Sequence, residues 1–460
     1  MAYERKKVLN EISKAEKKEL EKYSQGYIDF LSLAKTERLA CKEIVKAAQK
    51  SGYVELDKAL EKGVKTGDKV YAVNNSKAVV LVKLGEDLSE GLDIVGSHID
   101  SPRLDLKPLP FDEAGNMAYM KTHYYGGVKK YLWTNIPLAL HGVAFRKDGT
   151  KVEISIGEKD TDPVFYINDL LIHLSRKRLE LKGTELIEGE QLQIVIGSDG
   201  SGADKDQKEP VKAKVLEYLK KEYGLEEEDF QIAEIEAVPA GRAREVGFDR
   251  SLIAGHGHDD RICSYANLKA MLDSSDSKRT KVALFVDKEE IGSVGNTGMH
   301  SDFFVNVIAE LINSMKGSYS ELDLKRALSN SRVLSADVTV AFDPMFPEVC
   351  DKLNTAVIGG GVSINKYTGS GGKGGCNDAN AEFLNQVRRI FDEAGIIWQT
   401  GELGKVDAGG GGTIAYILAR YGAQVVDCGT GMLSMHAPIE LAAKADAFET
   451  YRAYKAFFNA

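Results

Sequence analysis

The sequence predicts an α/β fold, a three-layer α/β/α domain interrupted by a β-rich insertion. Three observations predict it. Short apolar β-like runs alternate with amphipathic helical stretches at both ends of the chain, the pattern of a sheet with helices on both faces. The block from 105 to 246 breaks that alternation. Five short stretches carry a His, Asp or Glu close after an apolar run, and all five lie outside the 105–246 block. They are VGSHIDSPR at 95–103, GHDDR at 257–261, VDKEEIG at 286–292, LSAD at 334–337 and SMHAP at 434–438. Ligands scattered from His98 to His436 meet only if the fold gathers strand ends at one edge.

Along the chain, residues 5–50 read as two or three amphipathic helices. Tyr27, Phe30, Leu31 and Ala34 share one face at i, i+3, i+4, i+7. Strand-like runs follow at 70–73 and 78–84, separated by the turn residues Asn74-Asn75. The apolar run 93–97 leads straight into His98. In the middle block, β runs at 143–146 and 152–156 flank the turn residues Lys147-Asp148-Gly149. A β run at 191–196, a polar loop at 198–206 and a charged helix near 210–223 complete it. After Gly247 the alternation resumes, with a helix at 265–272, a buried strand at 282–286, a helix over about 302–316 and a strand at 333–335. A helix at 379–394 follows, another starts after the glycines 409–412, and strand 424–427 and a helix near 437–458 end the chain. The expected organisation is therefore 1–104 and 247–460 as one domain, with 105–246 inserted.

Composition excludes several classes. The chain has 460 residues, 43% apolar and 28% charged, with a formal net charge of −9. That is long enough for two or three domains with a sizeable core. A net acidic chain argues against general nucleic-acid binding, which needs a basic face. The five cysteines, Cys41, Cys263, Cys350, Cys376 and Cys428, form no CxxC and read as free thiols. The first 23 residues are charged throughout and lack an apolar core, so no signal peptide is expected. No apolar run approaches the ~20 residues of a membrane span. A cytoplasmic location is expected.

The five motifs carry the chemistry. Imidazole and carboxylate are donors that zinc, cobalt and manganese accept. Two such ions about 3.5–4 Å apart can activate a water and polarise a carbonyl. His98 is followed two residues on by Asp100, and a metal-bound imidazole usually gives its second N–H to a carboxylate. An isolated HxD is no more than a strand-end turn. Glu289-Glu290 could be a solvated surface pair, but they follow a buried strand and precede Ile291-Gly292. Carboxylates at a strand edge are costly unless a cation compensates, and a ligand beside a general base answers that need. Asp337 and His436 also follow strands. Either Asp259 or Asp260 could be only a helix N-cap. The remaining histidines, His123, His141, His173, His256, His258 and His300, read as surface or satisfied core residues, with His173 standing out slightly in LLIHLSRK. GSGGKG at 369–374 follows no strand and opens no clear helix, so it does not fit a dinucleotide fingerprint.

Taken in order, VGSHIDSPRLDLKP, HDDRICSYANL, FVDKEEIGS, SADV, KYTGSGGKGG and GTGMLSMHAPIE resemble the aspartyl aminopeptidase, or aminopeptidase I, family of dinuclear zinc exopeptidases. The resemblance implies a zinc-exopeptidase catalytic domain with an inserted dimerisation domain, and dimers that build a tetrahedral dodecamer. It implies two divalent metal ions per chain, zinc first and cobalt or manganese as alternatives. His98 and Asp337 would bind one metal and Glu290 and His436 the other. Asp260 would bridge them, chosen over Asp259 because Asp260…Ser264 fits the family's DxxxS. Glu289 would be the general base and Asp100 the orienter of His98. Lys366 and Lys373 would contact the substrate, and His173 would reach a neighbouring subunit's site. After SAD, animal members carry histidines, whereas this chain reads DVTVAFDP with Val340 and Asp343. The implied activity is removal of N-terminal residues, acidic ones in that family, from peptides. The alternatives are another dinuclear amidohydrolase, such as a carboxypeptidase or deacylase, or a non-catalytic assembly scaffold.

Overall fold

The computed structural model describes residues 4–202 and 206–460. The chain forms two compact units. One comprises the residues up to Asp100 with Ala243–Met435 and Glu440–Ala460, and the other Ser101–Arg242 with His436–Ile439.

The first unit is built on a nine-stranded mixed sheet. Its centre is four parallel strands in the spatial order Thr280–Val286, Leu92–His98, Arg332–Ser335, Gln424–Gly429. All four are rich in β-branched and apolar residues and almost wholly buried, as parallel strands covered on both faces must be. Alternation along them divides the core in two. Val95, Ala283, Phe285, Leu334 and Val426 join one cluster with residues of the helices Lys14–Leu33, Glu37–Lys50, His258–Leu272 and Lys444–Phe458. Ile94, Val282, Leu284, Val333 and Val425 join the other with residues of Phe303–Lys316, Glu321–Ser329 and Ala415–Ala419. This is the expected three-layer α/β/α arrangement. The face read from the N-terminal sequence is the buried one, since Tyr27, Phe30, Leu31 and Ala34 all lie in the core. The long helix bearing it starts at a capping box, Ser13 with Glu16.

A second, five-stranded sheet of this unit runs Arg244–Val246, Leu252–Gly255, Glu440–Ala443, Gly431–Leu433, Thr339–Val340. The final helix therefore starts at Lys444 rather than near 437, because a strand precedes it.

The second unit is a six-stranded antiparallel sheet ordered Lys151–Ile156, Leu138–Phe145, Glu234–Pro239, Arg103–Ala114, Met117–Tyr125, Gln193–Gly197. Helix Pro210–Tyr223 has Pro at its start and the left-handed Gly224 at its end. Trp133, Leu140, Ile154 and Phe230 lie in its core. The expected boundaries at 105 and 246 shift to 101 and 242. Arg103 already pairs with Tyr125 in this sheet, and Arg244–Val246 pairs with Leu252–Gly255 in the other unit. That His436–Ile439 pack with this unit has no counterpart in the sequence reading.

Candidate metal centre

Three of the parallel strands deliver side chains to one sheet edge. His98 ends its strand level with Val286, and Ser335 is level with Gly96. Asp337 and the turn Asp287–Glu290 thus follow the C-terminal ends beside His98. The fourth contribution comes from the start of helix His258–Leu272. There Gly257 takes a left-handed φ of 76°, and Asp259 and Asp260 keep non-helical dihedrals. The two aspartates therefore stand ahead of the regular helix. Ser264, one turn on, ties helix to strand: its Oγ is 2.7 Å from the His98 carbonyl oxygen and 2.9 Å from Ser97 Oγ. Gly429 ends the fourth strand against Asp337, and a Cβ there would collide with the Asp337 carbonyl oxygen.

These elements converge on two overlapping groups. In one, donor atoms of His98, Asp260 and Asp337 lie within 4.8 Å of one another. In the other, those of His98, Asp259 and Glu290 do. His98 Nε2 is 3.0 Å from Asp259 Oδ1 and 3.8 Å from Asp337 Oδ1. Its Nδ1 is 3.1 Å from the Asp100 carbonyl oxygen and 3.3 Å from Asp100 Oδ1. One ring nitrogen thus faces the acidic cluster and the other faces a carboxylate, as in a metal-bound imidazole with its orienting partner. Asp100, fully buried, also accepts the Glu289 and Glu290 N–H groups, each at 3.2 Å. Glu289 and Glu290 are half-buried in the short turn after Lys288.

The electrostatics call for a cation. Burial, with Asp259 beside it, holds the Asp260 carboxyl well above the usual carboxylate range despite His98. Neither Asp260 oxygen has a partner at full hydrogen-bond geometry among the described residues. Burial likewise raises Asp337, with Asp260, Glu289 and Asp259 adding to the effect against His98. Burial alone would lower His98, but hydrogen bonds to Asp100 and Asp259 and the charge of Asp337 hold it well above its ordinary value. A buried His with the carboxylates of Asp259, Asp260, Glu290 and Asp337 around it is a donor set that a divalent cation fits.

The structure thus gathers His98, Asp100, Asp260, Glu289, Glu290 and Asp337, and adds Asp259. Local residue preferences read both aspartates as N-cap candidates, and only the resemblance favoured Asp260; the structure places donor atoms of both near His98. His436 belongs to neither group among the described residues. It lies in the second unit, where its Nδ1 is 2.9 Å from the Gly127 carbonyl oxygen. Lys366 and Lys373 share one carboxylate, Asp378, at 2.5 and 3.0 Å. The strand Val362–Asn365 that leads to them runs antiparallel to Gln424–Gly429, so Lys366 leaves the sheet heading away from the ligand edge. Lys366 and Tyr367 line a cavity of about 480 Å³ with Ile364, Leu384, Trp398 and Glu402. His173 is exposed in the second unit within an apolar stretch, Leu170, Leu171, Ile172 and Leu174. The other histidines are surface or satisfied residues where partners are seen: His141 meets Glu158, His258 meets Tyr27 and His300 meets Tyr416.

Comparison with known proteins gives a consistent answer. A family model described as aminopeptidase I zinc metalloprotease (M18) matches residues 30–458. A probable M18 family aminopeptidase 1 of Clostridium acetobutylicum is 51% identical over 445 residues, covering 96% of this chain and 95% of that protein. The crystal structure of an M18-family aminopeptidase from Thermotoga maritima aligns with a TM-score of 0.96 at 46% identity, covering 100% of each chain. The mApe1 dodecamer of Saccharomyces cerevisiae shares the fold, with a TM-score of 0.76 and 21% identity over 94% of this chain and 95% of that one.

Proposed function

Because the chain belongs to the aminopeptidase I (M18) family of zinc metalloproteases and is an aminopeptidase, we propose that it works through a dinuclear centre at the strand edge described above. The observation that carries this reading is the overlap of two donor groups on His98, with Asp259 and Glu290 on one side and Asp260 and Asp337 on the other. His98 and Asp337 would hold one ion, Glu290 and His436 the other, and one aspartate of the Asp259-Asp260 pair would serve both. The 3.0 Å approach of Asp259 to His98 supports Asp259 for the bridge, and the buried Asp260 carboxylate, without a well-formed hydrogen bond among the described residues, supports Asp260. Two ions bound there would supply Lewis acidity for the scissile carbonyl and the attacking water.

Glu289 takes the proton from that water and returns it to the leaving amine. Its backbone N–H is fixed by Asp100, so its carboxylate starts from a set position. Asp100 in turn orients His98. Zinc is the metal that the family description supports, with cobalt and manganese compatible with the same donors.

The substrates are peptides with a free N-terminus. A preference for acidic first residues is proposed on Lys366 and Lys373, two cations that outnumber their one partner Asp378. The assembly is proposed to be a homo-oligomer, a tetrahedral dodecamer built from dimers. The exposed apolar stretch around His173 supports an interface there, and a dodecamer is the form named for the yeast relative. The proposed location is the cytoplasm, and no described helix is long and apolar enough to cross a membrane.

The test is a screen of aminoacyl substrates after zinc, cobalt or manganese is restored to metal-free protein. Two ions per chain and loss of hydrolysis on N-acetylated substrates are expected. Continued hydrolysis of the acetylated series would identify a deacylase instead.

A further inference from the structure

We propose that Glu440 is a positioning residue of the metal centre. It holds the backbone of Asp259 so that the Asp259 carboxylate is presented to His98. The inference rests on the reading above that Asp259 is a ligand.

Glu440 is 1% exposed, and its Oε2 accepts the Asp259 N–H at 3.2 Å. The residue opens the strand Glu440–Ala443, which pairs with Leu252–Gly255 in the register Glu440↔Gly255. The same strand pair therefore fixes both ends of the contact: the place where Glu440 stands, and the point from which the chain turns through His256 and Gly257 into Asp259. Such a turn needs a tether. Gly257 is left-handed and Asp259 and Asp260 are non-helical, so the regular helix ladder does not fix the Asp259 amide. A carboxylate is a strong acceptor for that amide. A buried carboxylate needs donors, and the Asp259 amide is one that Glu440 has. The Asp259 carboxylate, one residue's length away, lies 3.0 Å from His98 Nε2. Releasing the amide frees that carboxylate to turn off the site. Glu440 makes no direct claim on the metal, and its effect passes through Asp259.

The experiment measures zinc affinity of the full-length, metal-stripped chain by competition with a chromogenic chelator. Partners that orient ligands typically contribute about 10–100-fold in affinity. Glu440→Ala is expected to weaken the site containing Asp259 by that amount, and Glu440→Gln, which keeps an acceptor oxygen, to recover most of it. Asp446→Ala is the matched control, because Asp446 is an equally buried carboxylate that accepts the Gly359 and Gly361 N–H groups. It should lower the melting temperature and leave zinc affinity alone. The cobalt-loaded protein gives a second readout: its visible ligand-field bands should shift in Glu440→Ala and stay in place in Asp446→Ala. Unchanged affinity in Glu440→Ala, or a loss no greater than in the control, overturns the proposal. If Glu440→Ala does not fold, Glu440→Asp, shorter by one methylene, decides in the same way. Failure of the underlying reading looks different, since a wild type whose zinc affinity is untouched by Asp259→Asn removes Asp259 from the ligands.

Discussion

Asp100 and Glu289 are joined through the backbone: Asp100 Oδ1 accepts the Glu289 N–H at 3.2 Å, while Oδ2 accepts the next amide, that of Glu290, at 3.2 Å. The same carboxylate stands 3.3 Å from His98 Nδ1. One buried side chain thus registers His98 from one strand against Glu289 and Glu290 after its neighbour. Asp100→Ala should lower metal affinity by about 10–100-fold and reduce kcat as well, because both the imidazole and the Glu289 turn lose their anchor. Metal titration beside steady-state kinetics checks this. A variant that loses rate but keeps full metal affinity would separate the two roles.

Glu289→Gln should leave both ions bound and lower kcat by about 10²–10⁴-fold, the range for loss of a general base. Elemental analysis and kinetics on the same preparation test it. Near-normal turnover would remove Glu289 from the proton-transfer step.

The two neighbouring aspartates make distinct predictions. A bridging carboxylate serves both ions, so its Asn variant should lose both. A carboxylate serving one ion should cost only one. Asp259→Asn and Asp260→Asn, each analysed for metal content per chain, therefore assign the bridge. Retention of two ions in both variants would mean that neither bridges.

Lys366→Met should lower kcat/KM more on substrates with N-terminal Asp or Glu than on those with Leu or Ala. The effect is modest. The Lys366 side chain is 49% exposed and already paired with Asp378, and such pairs contribute about 0–1 kcal/mol, or up to roughly fivefold. Asp378→Asn should act in the opposite direction, because it releases both lysines. Equal losses on acidic and neutral substrates, or a wild type that prefers neutral residues, would end the proposal of an acidic preference.

Stability should carry the titration of Lys281. Burial lowers this ammonium to about 8, with Lys83 adding repulsion and Asp93 and Asp276 opposing it. A lysine held below its ordinary value of about 10.5 binds its proton less readily folded than unfolded. Its contribution to stability therefore grows as pH rises from about 8 towards 10.5, and is lost as pH falls through that window. The difference in melting temperature between wild type and Lys281→Met should move in favour of the wild type across that interval and stay flat below it. A difference independent of pH would show that Lys281 titrates normally.

Much of this protein was decided within short stretches of sequence. The apolar runs that become parallel strands are continuous because both faces are covered, and three of them lead into the imidazole and carboxylate side chains gathered at one edge. His98, Glu289, Glu290 and Asp337 were therefore legible as a set, as were the alternation of layers and the existence of an insertion. The long hairpin Arg103–Tyr125 was not, because Pro108 and Pro110 and a register shift between Leu106 and Phe111 break its period. Four further matters were settled only by tertiary structure. Adjacent aspartates have the same local preferences, and how each stands beside His98 depends on the left-handed Gly257 and the non-helical turn that follows it. The grouping of His436 with the inserted unit depends on packing against a segment some 300 residues away. Lys366 and Lys373 acquired Asp378 through loop closure, which no spacing rule anticipates. Strand direction, finally, is a property of the sheet. The antiparallel course of Val362–Asn365 sent Lys366 away from the ligand edge, because hydrogen-bond pairing with Gln424–Gly429, rather than the composition of the strand, sets which way it runs.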